Sequence, residues 1–299
     1  MMNLMIELTN RCTLRCPTCF SHQDNRKKFN MSFQGFKKII DENRDLINSL
    51  SLYNYGEPLL NENLPDMIAY AKQMGICYVK IATNGMDLTV SKSKEIIESG
   101  LDYLSISLDG ATKETYEKFR IGGRFETVVS HTLNLVKLRD AFKSSLKIEI
   151  QFIIMRHNEH EIQEIEKLAR ALKVDYLRLK TVLIKKDKWK ELLPSDQYSR
   201  YPAKEESRRC SKPLNELVIN CDGTVIPCCY IVGDDIGKFG MGNVFNQPLK
   251  EILRSEEYRS FIETCGTDKT RISCCKNCEE GALSLDHRFI KIAAENGSC

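Results

Sequence analysis

The sequence carries little net charge and no long apolar run. Its 299 residues sum to +3 at pH 7, too little to argue for a nucleic-acid partner or a membrane surface. No run of about 18 apolar residues occurs, so no membrane span is expected. The first residues lead straight into a strand pattern, which excludes a signal peptide and makes a cytoplasmic protein the expectation. The remainder is ordinary globular composition, 42% apolar and 28% charged, enough for one large domain and a small one. Cysteine, by contrast, is plentiful. Disulfides are rare in the cytoplasm, so the 13 cysteines read as metal ligands or reactive thiols. They fall into two groups, 12–19 and 210–299, with Cys77 alone between them and expected as a small buried side chain.

The first group is Cys12-Thr-Leu-Arg-Cys16-Pro-Thr-Cys19, a C-x3-C-x2-C spacing. Three thiolates can hold three irons of a [4Fe–4S] cube, which leaves the fourth iron open for chemistry. The alternatives are a structural or redox cluster, or a zinc site completed by a ligand elsewhere. Residues 3–8 read as a mostly apolar strand, which would put the loop at the carboxyl edge of a sheet, where α/β folds bind ligands.

This arrangement resembles the radical S-adenosylmethionine (radical SAM) superfamily. The resemblance implies that the open iron chelates the amine and carboxylate of SAM, and that cleavage yields methionine and a 5′-deoxyadenosyl radical that takes a hydrogen atom from a substrate. Further matches follow along the chain. A helix at 33–48 and a strand at 49–55 lead into Gly56-Glu57-Pro58. Glycine permits close approach of a ligand, and a carboxylate can accept from an ammonium group. Gly56 and Glu57 resemble the end of the family's Gly-Gly-Glu motif for the SAM amine, with Tyr55 replacing its first glycine. Thr18 stands where the family often has an aromatic residue, and Phe20 follows Cys19.

Helices are expected at 64–75, 91–99, 113–120, 125–142 and 159–172, alternating with strands at 78–82, 103–108, 146–155 and 176–181. Six strands alternating with helices argue for a parallel sheet with right-handed crossovers. The resemblance makes it α/β, a partial (β/α)6 TIM barrel over residues 1–186. Ser105, Ser107 and Asp109 share one face of their strand. Ser107 and Asp109, near its tip, and Asn84, after the previous strand, are candidates for the ribose and carboxylate of SAM. Arg120 and Arg124 flank a Gly-Gly turn, and either can grip a carboxylate with its two-pronged guanidinium; Arg120 is the candidate SAM ligand.

Residues 187–206 are polar, with two prolines, and read as a linker to a cysteine-rich domain at 207–299. There Asp222-Gly223 between two apolar triplets signals a hairpin, and a helix is expected at 249–264. Cys210, Cys228 and the later Cys275-x2-Cys278 can surround one metal centre, with a zinc ribbon as the plain alternative. Cys-x12-Gly-x4-Cys followed by Gly-Asn-Val resembles the SPASM and twitch extensions of radical SAM enzymes. The C-x2-C-x5-C-x3-C run of the full SPASM pattern is missing, which implies the shorter form with a single auxiliary [4Fe–4S] cluster on Cys210, Cys228, Cys275 and Cys278. Cys274 is an alternative to Cys275. Cys221, Cys229, Cys265 and Cys299 are left over. Cys265 and Cys229 are candidate hydrogen-atom donors, since a thiol can quench a substrate radical.

Two [4Fe–4S] clusters and SAM are therefore the expected cofactors, with a reductant such as flavodoxin or ferredoxin as partner. The expected reaction is oxidation of a small, sugar-like or aminocyclitol substrate. Epimerisation, peptide modification and a non-catalytic iron–sulfur or zinc protein are the alternatives. The few residues before Cys12 leave no room for a leader-binding domain, which favours a small substrate over a peptide.

Overall fold

A computed structural model describes residues 2–22, 25–184, 187–199, 208–276, 278 and 288–292. Its strands are β1 (Met2–Ile6), β2 (Ile47–Ser51), β3 (Val79–Thr83), β4 (Tyr103–Ser107), β5 (Lys147–Ile154), β6 (Tyr176–Thr181), β7 (Glu216–Ile219), β8 (Thr224–Ile226), β9 (Gly242–Asn243) and β10 (Arg288–Lys291). The first six alternate with helices, as the periodicity predicts. Three of these helices begin where a side-chain oxygen takes up an orphan backbone N–H group. Ser32 caps Phe33–Asn43, Thr89 caps Val90–Glu98 and Thr112 caps Lys113–Phe119.

The chain divides into two compact units. The first comprises Met1–Cys12, Phe20–Val79 and Ala203–Ser284. In it β1 lies between β2 and β7, parallel to both, and β8 and β9 continue antiparallel. The Asp222-Gly223 turn joins β7 to β8 as expected. Gly223 sits at φ +87°, and a Cβ there would lie 2.5 Å from the Phe245 ring. Met5, Val218, Ile226, Ile231, Phe261 and Ile272 pack into one apolar cluster with Cys228 and Cys265.

The second unit comprises Thr13–Cys19, Lys80–Pro202 and Leu285–Cys299. Within it β4, β5 and β6 run parallel, β3 joins from Lys80, and β10 pairs antiparallel with β6. Ile148, Ile150, Phe152 and Ile154 alternate along β5 and are all buried, as one face of a pleated strand packed on a core must be.

Several details depart from the sequence reading. Ile47 starts β2 rather than ending a helix, because the helix stops at Asn43 and a short 3-10 turn follows. The helix expected at 249–264 is two, Leu249–Ile252 and Glu256–Asp268, separated where Ser255 caps the second. The cysteine-rich hairpin is not set apart from the first strands: β7 completes the free edge of β1, and an edge strand gains by being paired. The expected linker is structured at its start. Residues Asp187–Leu192 form a 3-10 turn, Trp189 is buried, and Arg156 bonds the carbonyls of Leu192, Leu193 and Pro194. Cys77 is exposed rather than buried.

Candidate functional site

In the first unit the chain leaving β1 is pinned before it reaches the cysteines. Thr9 bridges to Asn30, its hydroxyl 2.6 Å from Asn30 Oδ1. Asn10 donates to Lys27 O at 2.9 Å and accepts from Phe29 N at 2.8 Å. Gly56 then packs on this segment. Its φ is +142°, and a Cβ would lie 2.1 Å from Thr9 O, so only glycine fits. Glu57 N donates to Arg11 O at 2.7 Å, while its buried carboxylate accepts from Leu59 N at 3.1 Å. The Gly56-Glu57 pair therefore lies against the residues that run into Cys12. Phe20 packs edge-on against Tyr55, 5.8 Å between ring centres.

In the second unit the same loop continues through Cys16, which is buried, and Cys19, which is half-buried. Cys19 N donates to Cys16 O at 3.1 Å, the tight turn that a C-x2-C spacing favours. The Gly122-Gly123 turn touches this loop: Arg15 N donates to Ile121 O at 2.9 Å. Asn84, buried after β3, donates to Thr13 Oγ1 at 3.4 Å and accepts from Met86 N at 2.9 Å. Arg120 reaches both sides. Its Nε donates to Asp109 Oδ2 at 2.6 Å and another nitrogen lies 2.5 Å from the same oxygen, while a third lies 3.7 Å from Cys16 Sγ. Burial pushes the Cys16 thiol up, and the Arg120 charge pulls it partly back.

Asp109 is thus not a free acceptor at a strand tip. It is fully buried, committed to Arg120, and also accepts from Ile153 N at 2.7 Å. Ser105 is likewise committed, donating to Glu149 Oε1 at 2.8 Å, whereas Ser107 stays half-buried at the end of β4. Arg124 caps the helix Phe125–Ala141 through its backbone, away from any carboxylate partner among the described residues. The sequence reading passed over Glu149. This buried carboxylate also accepts from Tyr103 Oη and Arg178 Nε, both at 2.6 Å. The signal was there: an acidic residue between Ile148 and Ile150 in an apolar strand needs partners on the opposite face.

The second cysteine group converges inside the first unit. One cavity is lined by Cys210, Cys228, Cys265, Cys274, Cys275 and Cys278. A long-range bond ties Cys210 N to Cys265 O at 2.8 Å, and a local turn brings Cys278 in, its N–H donating to Cys275 O at 3.1 Å. The four residues expected as cluster ligands all lie here. So does Cys274, its sulfur 3.7 Å from that of Cys275. Cys265 is fully buried on the cavity wall; its contact with Cys275 and its burial push its thiol far up. Of the two candidate hydrogen-atom donors, Cys265 is therefore the one that stands among the cavity thiols. Cys229 is half-buried against the same apolar cluster. Cys221 is buried, its N–H donating to Glu7 Oε2 at 3.2 Å; Cys299 lies outside the described residues.

Among the described residues no three His, Cys, Asp or Glu side chains close on a single point as ligands of one metal ion do. Six thiols and no histidine or carboxylate line the cavity among the described residues, a donor set that suits iron–sulfur ligation.

The family model of the radical SAM superfamily matches residues 6–172, more than half of the chain. The protein belongs to the radical SAM superfamily. A second model, SPASM, an iron–sulfur cluster-binding domain, matches residues 210–279. This radical SAM protein is 31% identical over 169 residues to the Fe-coproporphyrin III synthase of Methanosarcina barkeri, spanning 40% of that protein. It is 27% identical to the tungsten-containing aldehyde ferredoxin oxidoreductase cofactor-modifying protein of Pyrococcus furiosus, over 86% of this chain and 82% of that one. Among solved structures it resembles BtrN in complex with AdoMet and 2-DOIA, with TM-score 0.62 and 18% identity over 94% of both chains. The fold is accordingly the α/β partial barrel of the superfamily with a SPASM region, and its cofactors are SAM and two [4Fe–4S] clusters. Among the described residues no helix is long and apolar enough to cross a membrane.

Proposed function

We propose that this radical SAM enzyme oxidises a small polar, sugar-like or aminocyclitol substrate. Six thiols around one cavity are the observation that carries the reading, since four can fill every valence of an auxiliary cluster and leave it free to exchange electrons. Cys12, Cys16 and Cys19 would hold the front cluster, which would supply reductive cleavage of SAM. Overall, SAM and an alcohol would become methionine, 5′-deoxyadenosine and a ketone, with one proton released. The electron consumed would come from a reductant such as flavodoxin or ferredoxin, and the electron released would be taken by the auxiliary centre.

The chain's own groups do the positioning. Gly56 lets its turn pack against the Thr9–Arg11 backbone, and Glu57 offers a carboxylate to the SAM amine. Arg120, held by Asp109, presents its charge to the SAM carboxylate. Asn84 and Ser107 supply polar groups for the ribose. Asp109 is a positioning residue in this scheme, because Arg120 and Ile153 N already occupy its oxygens. Oxidation is favoured over epimerisation because Cys265 is buried among the cavity thiols.

The test is anaerobic turnover of reconstituted enzyme with SAM, dithionite and candidate polyols. 5′-Deoxyadenosine and a product lighter by two hydrogens are expected. A product of unchanged mass that carries solvent deuterium would establish epimerisation instead, and absence of 5′-deoxyadenosine would remove the reading altogether.

A further inference from the structure

Two lysines line the thiol cavity, Lys212 and Lys269. Lys269 is 4% exposed. It sits at the C-terminal end of the helix Glu256–Asp268, its N–H donates to Arg208 O at 2.7 Å, and its ammonium donates to the carbonyl of Cys278. Among the described residues no carboxylate pairs with it; the neighbouring Asp268 is taken by Arg208 at 2.6 Å. A buried ammonium with no counter-charge is costly, and proteins keep such groups only where an anion meets them. Lys212 is better provided for. Its ammonium lies 3.3 Å from Glu216 and 5.7 Å from the centre of the Tyr230 ring.

The proposed auxiliary cluster is the missing anion. A cube with four thiolate ligands carries net negative charge, and one-electron reduction adds another. A fixed positive charge beside it stabilises the reduced form more than the oxidised form, and so raises the reduction potential. We propose that Lys269, assisted by Lys212, is the counter-charge of the auxiliary cluster and makes it an electron acceptor. This rests on the reading of the cavity as a cluster site. Lys269 contributes more because no carboxylate among the described residues pairs with it, whereas Glu216 cancels part of the field of Lys212.

The test uses the full chain carrying C12A, C16A and C19A, so that only the auxiliary site can take up a cluster. After anaerobic reconstitution, iron is counted and the midpoint is measured by an EPR-monitored redox titration. About four irons per chain are expected; none would overturn the cavity reading itself and the proposal with it. With the cluster in place, Lys269→Met is expected to lower the reduced-to-oxidised ratio at fixed potential about tenfold, equivalent to about 59 mV for a one-electron couple. Lys269→Arg, which keeps the charge, should hold the midpoint near wild type, and Lys212→Met should shift it the same way by less. A loaded Lys269→Met protein with an unshifted midpoint overturns the proposal. Should Lys269→Met fail to load while Lys269→Arg loads, the need for the charge is supported directly. Should neither load, Lys212→Met decides, and an unchanged midpoint there overturns it.

Discussion

Asp109→Asn isolates the buried ion pair under the cysteine loop. The substitution keeps the shape and leaves an oxygen to accept from Ile153 N, 2.7 Å from the native carboxylate. What it removes is the charge facing Arg120, whose side chain is only 13% exposed. A guanidinium left buried without its partner costs about 3–5 kcal/mol. Set against a typical stability of about 5–15 kcal/mol, that is a fifth or more of the total. Arg120→Met leaves the opposite charge, the fully buried Asp109, unpaired, and a loss of similar size is expected. The double variant strands neither charge, so it should be less destabilised than the sum of the two, with a coupling of about 2–3 kcal/mol. Anaerobic urea unfolding followed by circular dichroism measures all three, provided the slopes agree. A loss below about 1 kcal/mol for Asp109→Asn, or strict additivity in the double variant, would refute the buried-pair account.

Other substitutions probe the rest. Gly56→Ala forces its new Cβ against Thr9 O; strain of about 1–3 kcal/mol should weaken SAM binding roughly 5- to 150-fold by calorimetry, and unchanged binding would remove this loop from the SAM site. Cys265→Ala and Cys229→Ala should each still form the oxidised product at intact iron content, and a deuterium-bearing product of unchanged mass that disappears in either variant would assign that thiol as a hydrogen-atom donor. Burial, with Lys118 nearby, pushes the His157 imidazole down from its ordinary value of 6.5. The unfolded chain then binds the proton first, so stability should fall as pH drops through about 6.5. His157→Asn should flatten that slope in denaturation midpoints taken between about pH 8 and pH 5; an identical slope would show that other groups set it.

Much of this molecule is readable without coordinates because its information is local. The spacing of Cys12, Cys16 and Cys19, the Gly56-Glu57 turn, the six alternating strands and the Asp222-Gly223 hairpin each depend on residues near in sequence. Local periodicity places β6 at 176–181, as found. The boundaries that failed did so where two patterns overlap. Ile47 fits a helical face and a strand equally, and hydrogen bonding to β1 decides it.

The sequence alone determined the cofactor chemistry, because metal ligands and their spacing are a matter of residue type, and residue type needs no tertiary information. It could not determine which polar side chains are free, because that depends on partners distant along the chain. Asp109 and Ser107 look alike on one strand, yet Arg120 and Ile153 fill the first and the second stays half-buried. Cys265 looked like a spare thiol, and folding seals it into a wall with five other cysteines. The same long-range packing puts the Lys269 ammonium beside them, where only three-dimensional proximity gives its charge a purpose.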